Sequence, residues 1–286
     1  MVGMKIAVAS GKGGTGKTMV AANLAFTLSL DRDTTLVDCD VEEPDLHLFF
    51  QAPETTTEVT VRVPVFDEQT CDHCGKCGEF CQYGAITVLR DRVLYFPELC
   101  HSCGGCTLAC EKGAIREEQM RIGQVTTAHP SSRLTLFTGI LDEGRPLATP
   151  VIRAAKEMAA GANLVIYDSA PGTACPVIET LDGSDIAILV TESTPFGLHD
   201  LQLAADVVKV LGMPAGVVIN RSDGHDGKTR EFCENQGLPV LMTIPFDRGI
   251  AAIQNRGGLL CAALPVWQRA FADLFIRCKE LAGGTR

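Results

Sequence analysis

Lys5-Ile6-Ala7-Val8-Ala9, followed by Gly11-Lys12-Gly13-Gly14-Thr15-Gly16-Lys17-Thr18, is the stretch on which the reading of this chain turns. The short apolar run reads as a buried strand, the glycine-rich stretch as a tight turn, and Thr18–Leu30 as a helix. Strand, glycine loop and helix in that order are the context in which G-x4-G-K-T cradles phosphate. Without side chains in the way, successive backbone N–H groups can point at phosphate oxygens. The helix N-terminus adds a partial positive charge. Lys17 is then placed to reach the β- and γ-phosphates, and the Thr18 hydroxyl to bind Mg²⁺.

Outward from the loop, apolar runs at Ile6–Ala9, Thr35–Val37, Leu164–Tyr167, Ile186–Val190, Ala215–Ile219 and Val240–Ile244 read as strands. Helical stretches lie between them at Pro150–Ala160, His199–Leu211 and Thr229–Gln236. Short apolar strands alternating with helices imply an α/β fold with a mostly parallel, doubly wound sheet. Leu36-Val37-Asp38-Cys39-Asp40 and Leu164-Val165-Ile166-Tyr167-Asp168 each end a strand in acids, at the sheet edge where such folds bind ligands.

The rhythm stops between about Val59 and Gln124, where eight of the chain's thirteen cysteines fall. Cys71-x2-Cys74-x2-Cys77-x3-Cys81 is repeated 29 residues later as Cys100-x2-Cys103-x2-Cys106-x3-Cys110, and Gly84-Ala85-Ile86 recurs as Gly113-Ala114-Ile115. Thiolates at this spacing are soft ligands that wrap a cubane, the fourth cysteine of each run serving the other cluster. The assignment is Cys71, Cys74, Cys77 and Cys110 to one [4Fe–4S] cluster and Cys81, Cys100, Cys103 and Cys106 to the second. Gln82 and Glu111 stand where proline usually follows the fourth cysteine. His73 and His101 read as loop residues beside the clusters. Cys39, Cys233, Cys261 and Cys278 read as small buried hydrophobes. The domain reading is a phosphate-binding domain over 1–58 and 125–286, with a ferredoxin module inserted over 59–124.

With Lys12 as a second lysine early in the loop, the chain resembles MinD/ParA-type (deviant Walker A) P-loop ATPases that carry an inserted two-cluster ferredoxin domain. The resemblance implies ATP and ADP with Mg²⁺ as cofactors beside the two clusters, and slow, partner-stimulated hydrolysis. It also implies an ATP-dependent dimer, with itself or with a paralogue, in which Lys12 reaches the phosphates of the other subunit. On the same basis Asp40 orients the attacking water, Asp38 and Asp168 belong to the Mg²⁺ shell, and Ser169-Ala170-Pro171-Gly172 is the second switch. Asn220 matches the adenine-reading position, and Pro245 and Asp247 lie where the base pocket is lined. Cys175 has the offset from Asp168 of a cluster ligand in the nitrogenase iron protein. The partner implied is a redox protein or metalloprotein; a positioning or adaptor ATPase with structural or sensing clusters is the alternative.

The net charge of −10 argues against nucleic acid. No run of about twenty apolar residues supports a spanning helix, and the start of the chain lacks the basic flank and cleavage site of an export signal. A cytoplasmic protein is the expectation, with Phe271–Leu281 as an amphipathic packing helix rather than a membrane anchor.

Overall fold

The computed structural model describes residues 3–284. The chain runs β1 (Met4–Ala9), α1 (Lys17–Ser29), β2 (Thr34–Cys39), β3 (Glu54–Phe66), α2 (Lys76–Phe80), β4 (Ile86–Val88), β5 (Val93–Tyr95), α3 (Gly105–Ala109) and β6 (Ile115–Ser131). It continues through β7 (Leu134–Leu141), α4 (Thr149–Met158), β8 (Leu164–Ser169), α5 (Cys175–Leu181), β9 (Ile186–Glu192) and α6 (Pro195–Val210). It ends with β10 (Ala215–Ser222), α7 (Gly227–Gln236), β11 (Val240–Pro245), α8 (Arg248–Gln254), α9 (Leu260–Ala263) and α10 (Val266–Gly283).

Nine strands form one sheet in the order β11-β10-β9-β1-β8-β2-β7-β6-β3. From β11 to β7 every neighbour is parallel, and β6 and β3 extend the far edge in antiparallel pairing. The central parallel strands β2, β8 and β9 are buried almost throughout because helices cover both faces. Their side chains alternate between two cores. Ile6, Val8, Leu36, Ile166 and Ile188 face α1 and α10. Ala7, Ala9, Val37, Val165 and Leu189 face the layer of α4, α5 and α6. Helix α10 buries Phe271, Leu274, Phe275 and Cys278 in the first core, so the C-terminal segment is a packing helix. Among the described residues no helix is long and apolar enough to cross a membrane.

The middle of the chain holds more strand than its sequence suggested. Strands β3 and β6 pair over Glu54–Phe66 and Ile115–Ala128, so the expected boundaries at 59 and 124 fall inside this ribbon. Strand β7 returns to pair in parallel with β2, setting Thr138 opposite Asp38. The cysteine-bearing segment sits at the ribbon's distal end. There α2 and α3, five residues each, lie side by side with the β4–β5 hairpin, around a small core of Cys77, Ile86, Cys106 and Ile115.

Ile166 is fully buried on central strand β8. Ile166→Ala is expected to cost about 2–5 kcal/mol through lost transfer energy and a residual cavity. Urea denaturation should show a lower midpoint with an unchanged slope; a midpoint shift near zero would place this strand outside the cooperative core.

Candidate functional site

The end of β1, the glycine loop and the start of α1 form one wall of a cavity of about 300 Å³. Gly16 takes φ 91°, a left-handed conformation that opens the helix. A Cβ there would also lie 2.2 Å from the Asn220 amide nitrogen, so only glycine fits. Asn220 is buried and its Nδ2 donates to the Thr15 carbonyl at 2.7 Å. The end of β10 thus clamps the loop. Gly11 packs against the backbone of Asp200 on α6, where a Cβ would clash.

Lys17 is buried among carboxylates. Its Nζ lies 3.3 Å from Asp168 Oδ1, 3.5 Å from Asp40 Oδ2 and 3.4 Å from Thr18 Oγ1. Burial pulls against the ammonium, but Asp168, then Asp40 and Asp38, outweigh it and hold Lys17 above the ordinary lysine value. Asp38 stands opposite Asp168 in the β2–β8 register. Burial first, and Asp168 second, raise Asp38 well above the usual carboxylate range, although it accepts from the Leu46 and Asp40 N–H groups at 3.1 Å. Burial also raises Asp168, to about 6, with Lys17 opposing. Burial raises Asp40 too, again against Lys17. Asp168 Oδ1 has the Lys17 ammonium at 3.3 Å, whereas its Oδ2 and the Thr15 hydroxyl are buried without a hydrogen-bond partner. Orphaned acceptors of this kind call for a cation or ligand donor.

Lys12 turns to its own chain, with Nζ 3.9 Å from Asp200 Oδ2. The backbone N–H of Gly172 donates to Ser10 O at 2.9 Å, bringing the segment after β8 against the loop, and Pro171 lines the cavity. Pro245 ends β11, and Asp247 caps α8 by accepting from the Ile250 N–H at 3.0 Å. Neither is among the residues lining this cavity. Arg221 and Gln254 are.

The cysteines line two further cavities. One, of about 20 Å³, is lined by Cys71, Cys74, Cys77 and Cys110. The other, also of about 20 Å³, is lined by Cys81, Cys100, Cys103 and Cys106. The loops around them are conformational copies. His73 and Ser102 take φ 55° and 52°, and Gly75 and Gly104 take 86° and 72°. Alternating left-handed positions turn successive backbone N–H groups inward, a concavity suited to anions. Two N–H groups already meet sulfur, Ser102 N to Cys100 at 3.4 Å and Ala114 N to Cys110 at 3.3 Å. His73 Nε2 and Ser102 Oγ are buried without partners.

A family model described as the CobQ/CobB/MinD/ParA nucleotide binding domain matches residues 6–260. The chain belongs to this family. Two uncharacterized proteins of Methanocaldococcus jannaschii are similar over nearly their full lengths. MJ0579 is 31% identical over 259 residues, covering 89% of this chain and 90% of that protein. MJ0578 is 30% identical over 280 residues, covering 97% of each. Among solved structures, the cell division ATPase MinD of Pyrococcus furiosus superposes with a TM-score of 0.58 at 21% identity, covering 98% of this chain and 100% of that one. The septum site-determining protein MinD of Pyrococcus horikoshii, complexed with Mg-ADP, gives 0.60 at 20% identity, covering 100% and 99%. At these identities the likeness shows a shared fold.

In this MinD/ParA-type domain the loop, Asp38, Asp40 and Asp168 sit at one sheet edge. Glu43, Asp45, Gln254 and Asp200 were not singled out in the sequence, where no motif marks them. Asp45 joins Lys17's field through the bend after β2, and Asp200 is set against the loop by the start of α6. Cys175 is exposed at the start of α5, while Cys39, Cys233, Cys261 and Cys278 are buried.

Because Asp168 is raised from 3.8 to about 6, it takes up a proton on folding. Its contribution to stability is therefore complete below the unfolded value and is lost as pH rises through about 6. Urea midpoints of the nucleotide-free protein should fall across that window, and Asp168→Asn should flatten the fall. A pH slope unchanged in the variant would assign the titration elsewhere.

Proposed function

We propose that this chain is an ATP-binding and hydrolysing switch that acts as a dimer, and that its cysteine segment carries two [4Fe–4S] clusters. Nucleotide state then governs electron delivery to, or metallocluster maturation on, a partner protein. The observation carrying this reading is one chain in which a buried lysine–carboxylate centre and two four-cysteine cavities are joined by a continuous β ribbon.

At the first centre the cavity has the size of small-ligand sites, and the residues fit a magnesium nucleotide. Thr18 and Asp168 would hold Mg²⁺, with Asp38 behind them; the ion would neutralise charge on the β- and γ-phosphates. Loop N–H groups and Lys17 bind the phosphates. Asp40 orients the attacking water, whose oxygen bonds the γ-phosphorus as the bridge to the β-phosphate breaks, releasing ADP and phosphate. Lys12, freed from Asp200, reaches the partner subunit's phosphates and stabilises the charge that develops there.

The donor chemistry supports cubane clusters: each cavity is lined by four thiols, soft ligands for iron and sulfide, in two runs at the two-cluster spacing, and this spacing favours iron over zinc. Bound clusters would supply one-electron storage between a reduced carrier and an oxidised metallocentre of the partner.

The link between centres is mechanical. The Leu141 N–H donates to Val41 O at 2.8 Å, directly after Asp40. Gly139 packs so closely on Val41 that a Cβ would lie 2.6 Å from its side chain. A shift of the segment after Asp40 on nucleotide binding is thus passed into β7 and β6. It counts as coupling only if both sites bias it. The likeness to MinD favours a second reading, a positioning ATPase whose clusters are structural or redox-sensing.

Lys17→Ala is expected to abolish nucleotide binding, measured by calorimetry with ATP and Mg²⁺. Lys12→Ala should keep binding but lower turnover by about 10³-fold or more, the scale of a charge supplied in trans. Normal turnover by the Lys12 variant would end the in-trans role. Anaerobically purified protein should hold about eight iron and eight sulfide per chain, and its electron-transfer rate should differ between ATP and ADP. Zinc in place of iron would overturn the cluster reading. Iron with no nucleotide dependence would leave the positioning ATPase.

A further inference from the structure

The cysteine segment is a near-perfect structural repeat, so its departures from symmetry are informative. A shift of 29 residues (Cys71 to Cys100) carries α2 onto α3, His73 onto Ser102 and Gly75 onto Gly104. Two side-chain contacts that cross between the halves have equivalent positions under the same shift, where the chemistry changes. Lys112 pairs with Asp72 at 3.7 Å. The equivalent positions, Tyr83 and His101, instead hold stacked rings with centroids 3.5 Å apart and planes 5° from parallel. Lys76 pairs with Glu111 at 2.6 Å, and the equivalent positions hold Gly105 and Gln82, neither charged.

These contacts cover the cavities themselves. Asp72, Lys76 and Lys112 line the one formed by Cys71, Cys74, Cys77 and Cys110. Phe80, Tyr83 and His101 line the other, and among the described residues lining it none is Asp, Glu, Lys or Arg. Gly105 is itself buried under the Phe80 ring, where a Cβ would clash, so that half of the repeat cannot accept the lysine found in the first. One cavity counts two ammonium groups and one carboxylate among its lining residues, each ammonium paired with a carboxylate, beside Phe66, Val88 and Ile115. The other is walled by aromatic rings.

The geometry points to two electronically inequivalent cluster sites, the first taking up an electron more readily than the second because ammonium groups line it where aromatic rings line the other. The inference rests on the two-cluster reading above. Reduction adds one negative charge to a cluster. Nearby cations and water stabilise that charge, and rings that exclude water do not. An electron entering the segment therefore resides at the first site. Asp72, Lys76, Lys112, Tyr83 and His101 act here as positioning and tuning residues, not ligands.

The test is a redox titration of the anaerobic full-length protein, followed by EPR at about pH 8, above the ordinary histidine range. Iron and sulfide are counted first, so a protein without clusters fails the earlier reading and is distinguished from one with two equal clusters. Two separate one-electron transitions are expected, differing by at least tenfold in electron occupancy, about 59 mV. The double variant Asp72→His with Lys112→Tyr should lower the upper transition towards the lower one. The milder Lys112→Gln and Lys76→Gln should move it the same way with little risk to folding. Tyr83→Lys with His101→Asp should raise the lower transition. A fully loaded wild-type protein with a single transition, or cover variants that retain iron and leave both transitions in place, would overturn the inference.

Discussion

The ion cluster around Lys17 is the constraint on which the rest of the structure depends. A buried ammonium is costly unless paired, and so are three carboxylates grouped together. Asp168, Asp40 and Asp38 hold Lys17 charged, and Lys17 in turn opposes the rise of each acid. One lysine cannot balance all three: Lys17 meets Asp168 Oδ1 and Asp40, and the excess negative charge favours an added cation. The sheet exists to hold these groups in place, since β1, β2 and β8 are adjacent and Asp38 and Asp168 share a register position.

The same strand that carries Asp38 and Asp40 begins the route to the cysteine segment. From β2 the chain passes into β3, out to the two cavities, back through β6 and into β7, which pairs again with β2. Both ends of the excursion are therefore tied to the edge of the nucleotide cavity. A duplicated loop module placed anywhere else on the surface would lack this connection. Its distal core is small, built on Cys77, Ile86, Cys106 and Ile115.

Family membership and the fold agree with what the loop and alternating strands implied. The strands β1, β2, β8, β9, β10 and β11 were legible because each is a short apolar run buried on both faces. The strands β3, β6 and β7 were not, although Val59, Val61 and Val63 alternate with polar residues as an edge strand requires. The cysteine spacing dominated that region and drew attention from the period-two pattern around it. The two cavities are lined by Cys71, Cys74, Cys77 and Cys110 and by Cys81, Cys100, Cys103 and Cys106.

By itself the sequence determined whatever depends on neighbours along the chain: the glycine loop with Lys17 and Thr18, the acids that end β2 and β8, and the two cysteine runs. Such groups are placed by local backbone geometry, which a few consecutive residues dictate. Only the tertiary structure decided that Asn220 clamps Thr15 from 205 positions away, that Lys12 rests on Asp200, and that rings cover one thiol cavity while ion pairs cover the other. Those contacts join distant segments, and their distances are set by how strands and helices pack rather than by any spacing along the chain.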